Sequence, residues 1–240
     1  MPCIQKRRDI RSFVRRERRM TPTQQRLFSS QWLRYGINPN VVIDDLMSLF
    51  DRDAPCWLEI GFGNGEALVN MAVTHPEKNY LGVEVHTPGV GKLLTGLDQE
   101  NIANVRVFKH DAMEVIKQQL PDESLDAVLL FFPDPWPKRR HHRRRLLQSS
   151  FLELIACKLK PGGFFHMATD WRGYAEHAMK LLSASPWFHN QNPKGGYVER
   201  PLYRPITKFE RRGRKLGYDI YDLVFDRSIC NSPKIPSKPQ

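Results

Sequence analysis

Asp134 stands between Pro133 and Pro135, at the end of the apolar run Ala127 to Phe132 and just ahead of Trp136 and the stretch Lys138-Arg139-Arg140-His141-His142-Arg143-Arg144-Arg145. Proline lacks a backbone donor and sets its own φ, so a strand must stop here and the acid is held in a stiff, non-helical turn. A carboxylate fixed just beyond the carboxyl end of a central strand lies where open α/β sheets bind ligands and do chemistry. A loop Asp that only caps a neighbouring helix is the bland alternative. The rigid flanks and the adjoining cations favour a functional role. Trp136 can stack on a base or simply close a pocket wall.

A second constellation is Glu59-Ile60-Gly61-Phe62-Gly63-Asn64-Gly65, a strand end followed by a glycine-rich turn that opens a helix. Gly61 and Gly63 allow a tight turn and close approach of a ligand to the main chain, and Gly65 allows close helix packing. Glu84 ends the next strand about 20 residues on, the place from which an acid can take the hydroxyls of a ribose. Asp111 follows the third strand and Asp134 the fourth, so four acids fall at successive strand ends. The spacing G-x-G-x-G differs from the G-x-G-x-x-G/A that holds a pyrophosphate. A ring of carboxylates repels pyrophosphate and suits a ligand with a positive charge, a ribose and an adenine. S-adenosylmethionine is such a ligand, and NAD is the disfavoured runner-up.

The elements that must position these residues are legible as alternating apolar runs and helical patterns. Strands are predicted at Cys56 to Ile60, Tyr80 to Val85, Val105 to Phe108, Ala127 to Phe132, Phe164 to Ala168 and Ile220 to Phe225. Helices fall between most of them, so the fold class is α/β, a doubly wound, mostly parallel sheet with helices on both faces. The segment Gln24 to Phe50 reads as helical. Arg143 to Arg145 read as the start of a helix whose apolar side is Leu146, Leu147, Phe151 and Leu154, although cations at a helix N-terminus oppose the macrodipole. Residues 1–20 form a basic arm unable to build a core, 21–227 the domain proper, and 228–240 a polar, Pro-rich tail expected to be disordered.

The formal net charge is +11, which points to an acidic partner, nucleic acid first. No apolar run approaches the roughly 18 residues needed to span a bilayer, and no signal-peptide core is present, so a cytoplasmic protein is expected. Cys3, Cys56, Cys157 and Cys230 are scattered and form neither a C-x-x-C pair nor a cluster with His. Neither a disulfide nor a metal site is predicted.

The chain closely resembles the bacterial tRNA (guanine-N7-)-methyltransferases. The likeness rests on Ile10-Arg11-Ser12-Phe13-Val14-Arg15-Arg16, the glycine turn, Gly82-Val83-Glu84-Val85-His86, Phe131-Phe132-Pro133-Asp134-Pro135-Trp136, Ala168-Thr169-Asp170-Trp171 and Thr207-Lys208-Phe209-Glu210, in the right order. Pro137 and the tail after Arg227 depart from the pattern. The resemblance implies transfer of methyl from S-adenosylmethionine to N7 of a guanine in the tRNA variable loop, at position 46. It implies that Glu59, Glu84 and Asp111 contact the cofactor, with Asp134 at the active centre. It also implies that Lys138, Asp170, Thr207, Lys208, Phe209 and Glu210 hold substrate and that Arg140, His141, His142, Arg143, Arg144 and Arg145 meet RNA. Asp170 and Glu210 are candidates to read guanine N1 and N2. No obligate protein partner is expected. A non-catalytic RNA-binding subunit on the same fold is the competing class, disfavoured because a scaffold has no reason to keep like charges around one cleft.

Overall fold

The computed structural model describes residues 22–229. The basic arm of residues 1–20, Cys3 and Cys230, and all of the tail from 230 on lie outside the described residues. Ser228, expected to begin the disordered tail, is instead buried: its backbone N–H donates to Trp187 O, and its hydroxyl lies 2.8 Å from His189 Nε2.

The chain runs α1 (Pro22–Tyr35), β1 (Gly36–Ile37), β2 (Cys56–Ile60), α2 (Glu66–Thr74), β3 (Asn79–Val83), α3 (Thr87–Gln99), β4 (Val105–Phe108), α4 (Ala112–Gln118) and β5 (Leu125–Phe131). There follow α5 (Ser149–Lys158), β6 (Leu159–Thr169), α6 (Arg172–Ser183), β7 (Phe188–Asn190), α7 (Lys208–Lys215) and β8 (Tyr221–Arg227). The strands form one sheet in the order β1-β4-β3-β2-β5-β6-β8-β7. The β1 to β6 pairings are parallel, whereas β8 runs antiparallel to both β6 and β7. β2, β3 and β5 read as near-continuous apolar runs because both faces of the sheet are covered. Val115, Ile116, Phe151, Ile155, Tyr174 and Ala178 from α4, α5 and α6 fill one face. Leu68, Met71, Val90, Leu93, Leu94 and Leu97 from α2 and α3 fill the other.

Strand order reverses between β2 and β5, where the chain first builds outward through β3 and β4 and then crosses back. At such a switch point the loops leave the sheet in opposite directions and open a crevice at the carboxyl ends. β2 delivers the glycine turn to that crevice and β5 delivers Asp134.

Three expectations are corrected. Gln24 to Phe50 is not one helix: α1 stops at Tyr35 and a single 3-10 turn follows at Leu46–Leu49. Gly36 is the breaker, pairing with Val107 in the sheet at a point where a Cβ would sit 2.2 Å from the Trp32 ring, and Pro39 disfavours helix at Asn38. Arg143 to Arg145 do not begin the helix that follows. Arg139–Arg144 form a 3-10 helix, and α5 starts at Ser149. The macrodipole conflict therefore does not arise. The predicted apolar side of that region is nonetheless inside, with Leu147, Phe151 and Leu154 buried. Finally, β3 ends at Val83 and β5 at Phe131, so Glu84 and Phe132 belong to turns rather than strands.

Candidate active site

A cavity of about 250 Å³ opens at the carboxyl ends of β2, β3 and β5. Gly61, Gly63 and Glu84 form one wall, Phe131 to Asp134 another, and Leu146 and Phe209 close it from the side of α5 and α7. A smaller cleft adjoins it, lined by Glu59, Phe62, Asn64, Thr207 and Lys208, with Gly61, Phe131, Phe132 and Phe209 shared between the two.

Local sequence explains the glycine turn. Gly61, Gly63 and Gly65 all have positive φ (70°, 61° and 76°), which costs a residue with a Cβ but not glycine. Nothing lies within 4 Å of a Cβ built on Gly61, and only Phe209 Cε2, at 3.9 Å, near one on Gly63, so the main chain faces open space. Gly65 has the opposite reason, since its Cβ would meet Leu93 at 2.6 Å. Glu84 lines the cavity and also builds it: its carboxylate accepts N–H from Gly63 (2.9 Å), Val85 (2.7 Å) and His86 (2.9 Å). Asp111 caps α4, accepting from Met113 N–H at 2.8 Å, between the cavity-lining residues His110 and Ala112.

Glu59 sits on β2 and is 3% exposed, and its Oε2 has no hydrogen-bond partner among the described residues. Burial, reinforced by the nearby Glu84 charge, pushes its carboxyl up to about 8. Desolvation disfavours the charged form, and a second carboxylate adds to it. That oxygen is left for a partner that the described residues do not provide.

Asp134 is carried by a backbone under strain. Phe132 and Trp136 adopt φ of 51° and 44°, unusual for bulky aromatics, and for Phe132 doubly so before a proline. Phe132 is tied by its N–H to Ala168 O at 2.8 Å. Strain of this kind persists where surrounding structure enforces it, as at ligand clamps. Asp134 itself is exposed at the cavity wall.

The cationic stretch divides. Lys138, Arg139, Arg140 and Arg143 are exposed and His141, His142 and Arg144 half-buried. Arg144 lies over the Trp136 ring at 5.0 Å, and His141 meets the same ring edge-on at 5.9 Å. Partial burial and then the surrounding cations, Arg144 first, lower the His141 pKa. Arg145, expected to meet RNA, is 3% exposed: it donates to Pro135 O (2.9 Å) and Gly173 O (3.3 Å) and lies over the Tyr174 ring. It clamps the Pro-Asp-Pro turn from behind.

The Thr-Lys-Phe-Glu segment divides as well. Thr207 caps α7 by accepting the Glu210 N–H at 3.2 Å. Glu210 is fully buried, and its two oxygens accept from Arg204 and Arg214. Both of its oxygens are thus engaged by guanidinium groups. Lys208 and Phe209 do reach the site, the Phe209 ring stacking near Phe132 at 6.4 Å. Asp170, half-buried at the end of β6, packs against Gly213 of α7, where a Cβ would sit 3.0 Å from its Oδ2.

Two contributors carry no clear signal in the sequence. Gly89 on α3 approaches so closely that a Cβ would sit 2.0 Å from Gly63 O. Arg204, in a Pro-rich loop, is the partner of Glu210; nothing in the sequence singles it out from Lys208, Arg211, Arg212 and Arg214, which stand closer to that acid. No group of three metal-ligating side chains occurs among the described residues, and none of their helices is long and apolar enough to cross a membrane.

Residues 53–223 match the family model described as "Putative methyltransferase". The tRNA (guanine-N(7)-)-methyltransferases of Cronobacter sakazakii and Klebsiella pneumoniae are each 51% identical to this chain over 220 residues, 92% of this chain and 92% of theirs. Among solved structures, the 16S rRNA methyltransferase KamB superposes with a TM-score of 0.54 over 78% of this chain and 98% of that one, at 14% identity. TrmN from Thermus thermophilus superposes at 0.51 over 83% of this chain and 52% of that one, at 18% identity. These two likenesses are of fold. With half of all positions shared across nearly the whole of both chains, the family follows: the chain belongs to the tRNA (guanine-N(7)-)-methyltransferases.

Proposed function

We propose that this protein transfers a methyl group from S-adenosylmethionine to N7 of a guanine in tRNA, that the guanine is the one at position 46 of the variable loop, and that it works in the cytoplasm. The observation that carries the reading is a pair of adjoining clefts that share the open turn at Gly61, one lined by Glu59, a buried carboxylate with an unsatisfied oxygen, and the other by Asp134. The donor set suits the cofactor: the open oxygen of Glu59 calls for a cationic donor, and the bare turn leaves room for a ligand against the main chain. Glu59, Gly61, Gly63, Gly65, Glu84 and Asp111 are the residues proposed to hold it.

When bound, S-adenosylmethionine supplies a methyl group on a positively charged sulfur. Guanine N7 carries an in-plane lone pair and no proton, so no residue must first act as a base. The task left to Asp134 is electrostatic, to stabilise positive charge that builds on the purine. Its exposure fits that task, because an arriving base excludes water and strengthens the interaction. Asp170 is the remaining candidate to read the base by accepting from guanine N1 and N2; adenine lacks that donor pair and leaves the carboxylate unsatisfied, at a cost of about 1–3 kcal/mol. Lys208 and Phe209 bound the base, and Lys138, Arg140, His141, His142, Arg143 and Arg144 meet the RNA backbone. Extracting the base costs a few kcal/mol by analogy with base flipping, and phosphate contacts offset it without reading sequence.

The test is methyl transfer from labelled S-adenosylmethionine to unmodified tRNA, followed by nucleoside analysis. 7-Methylguanosine is expected, and none when the position 46 guanine is replaced by adenine. Label in any other nucleoside overturns the chemistry, and label persisting in the substituted tRNA overturns the position.

A further inference from the structure

A charged network almost sealed from solvent lies beside the crevice. Arg204 and Glu210 are fully buried and Asp222 is 2% exposed. Arg204 donates through Nε and Nη2 to the two oxygens of Asp222 at 2.6 and 2.8 Å, and through Nη1 to Glu210 Oε2. Arg214, itself exposed, donates from the rim of the network to the other Glu210 oxygen at 2.6 Å. Asp222 Oδ1 also lies 2.7 Å from His166 Nε2, and His166 Nδ1 lies 2.9 Å from the Tyr203 hydroxyl. One tautomer satisfies both contacts, with Nε2–H donating to the carboxylate and Nδ1 accepting from the tyrosine. Two guanidinium groups then balance two carboxylates around a neutral histidine.

Burying these ions costs several kcal/mol apiece, and apolar residues of the same volume serve stability as well. What a fixed set of charges adds is geometry: a planar fork accepts only one arrangement of its partners. That arrangement spans three separate stretches of chain. Asp222 pairs with Ala168 of β6 near the carboxyl edge of the sheet. The Arg204 guanidinium carbon is 5.9 and 5.8 Å from the ring centres of Phe131 and Phe132, which lead into Pro133 and Asp134. Glu210 is on α7 next to Phe209, whose ring faces both the cavity and the smaller cleft.

We propose that Arg204 is a positioning residue that, through Asp222 and Glu210, locks α7 to the sheet and so sets Phe209 and Lys208 at a defined distance from Asp134. The proposal rests on the methyl-transfer reading of the crevice only for its effect on turnover; the locking of α7 stands apart from it. Lysine cannot replace Arg204, because a single ammonium does not span both oxygens of Asp222 and one of Glu210.

The test compares Arg204→Lys, Phe209→Ala and the double variant by hydrogen–deuterium exchange and by tRNA methylation kinetics. Arg204→Lys is expected to raise amide exchange across α7 by about tenfold or more while the amides of β2 to β6 change by less than about twofold. It is expected to lower kcat by about tenfold or more with tRNA Kd nearly unchanged, and Phe209→Ala to lower kcat without loosening α7. Because both act through one ring, the double variant is expected to be no slower than the worse single one. Unchanged α7 exchange, or losses in kcat that multiply, overturns the proposal. Should Arg204→Lys loosen the whole sheet, Glu210→Gln, which keeps the guanidinium paired with Asp222, is read by the same criteria. Should the wild-type chain fail to methylate tRNA, the exchange data alone decide the locking of α7, and only the functional reading falls.

Discussion

Two carboxylates of this protein do different work because their surroundings differ. Asp134 is exposed on a strained turn between two prolines, while Glu59 is buried with one oxygen unsatisfied. Asp134→Asn keeps the shape and removes the charge, so kcat for methyl transfer is expected to fall about 10² to 10³-fold with tRNA affinity within about twofold; single-turnover kinetics beside filter binding check it. Glu59 is held largely protonated at neutral pH, its carboxyl raised to about 8 chiefly by burial. A cationic ligand that pairs with it favours the ionised form, so cofactor binding at pH 7 is expected to release close to one proton and to tighten as pH rises toward 8. Isothermal titration in buffers of different ionisation enthalpy reads this directly, and Glu59→Gln is expected to abolish the proton release.

At the scale of elements, the basic turn after Asp134 separates binding from folding. Arg140, Arg143 and Arg144 belong to the 3-10 helix, whereas Arg145 is its C-cap, buried and bonded to two backbone carbonyls. Neutralising the first three is expected to lower the slope of log affinity for tRNA against log salt by about 0.7 to 0.9 for each phosphate left without its cation. Arg145→Ala is expected instead to leave that slope unchanged and to destabilise the fold by about 2–3 kcal/mol, since charged hydrogen bonds disappear and carbonyls are left unpaired; salt titration and denaturant unfolding of both variants distinguish them. The approach of α3 to the glycine turn makes a parallel case. A methyl group on Gly89 would lie 2.0 Å from Gly63 O, so Gly89→Ala must push the turn or the helix away. Cofactor affinity is expected to drop about tenfold or more, while tRNA affinity, set elsewhere, is retained.

For the whole molecule, the raised Glu59 carboxyl gives stability a direction with pH. Between its ordinary value near 4.5 and about 8, the folded chain without ligand holds a proton that the unfolded chain has released. Stability of the ligand-free protein is therefore expected to fall as pH rises through that window, and Glu59→Gln to flatten the trend. Cofactor opposes it, adding about 2.7 kcal/mol at a hundredfold excess over Kd, and more of that stabilisation is expected at pH 8 than at pH 6. Thermal unfolding with and without S-adenosylhomocysteine across that range is the measurement. The net charge of +11 acts at the same scale, raising the rate at which a polyanion meets the molecule.

The alternation of apolar runs was enough to read the doubly wound sheet, because strands covered on both faces leave short unbroken apolar runs, told from buried helix by their length and their flanking turn residues. It was enough to place Glu59, Glu84, Asp111 and Asp134 at strand ends, with Gly61 and Pro133 marking where the strands beside Glu59 and Asp134 must stop and polar residues closing the other two apolar runs. Short β1 and β7, of two and three residues, left no such signal and exist only because neighbouring strands offer an edge. The buried contacts of Arg145 and Glu210 leave no mark in the sequence for a related reason. A charge in a motif looks the same whether it faces solvent or a buried partner. Arg145 is turned inward by carbonyls at Pro135 and Gly173, and Glu210 by Arg204 and Arg214. Residue types and local spacing decided where chemistry belongs on this sheet. Which charges are consumed in holding the site together was decided by pairings between residues 4 to 28 positions apart, whose geometry exists only once the chain has folded.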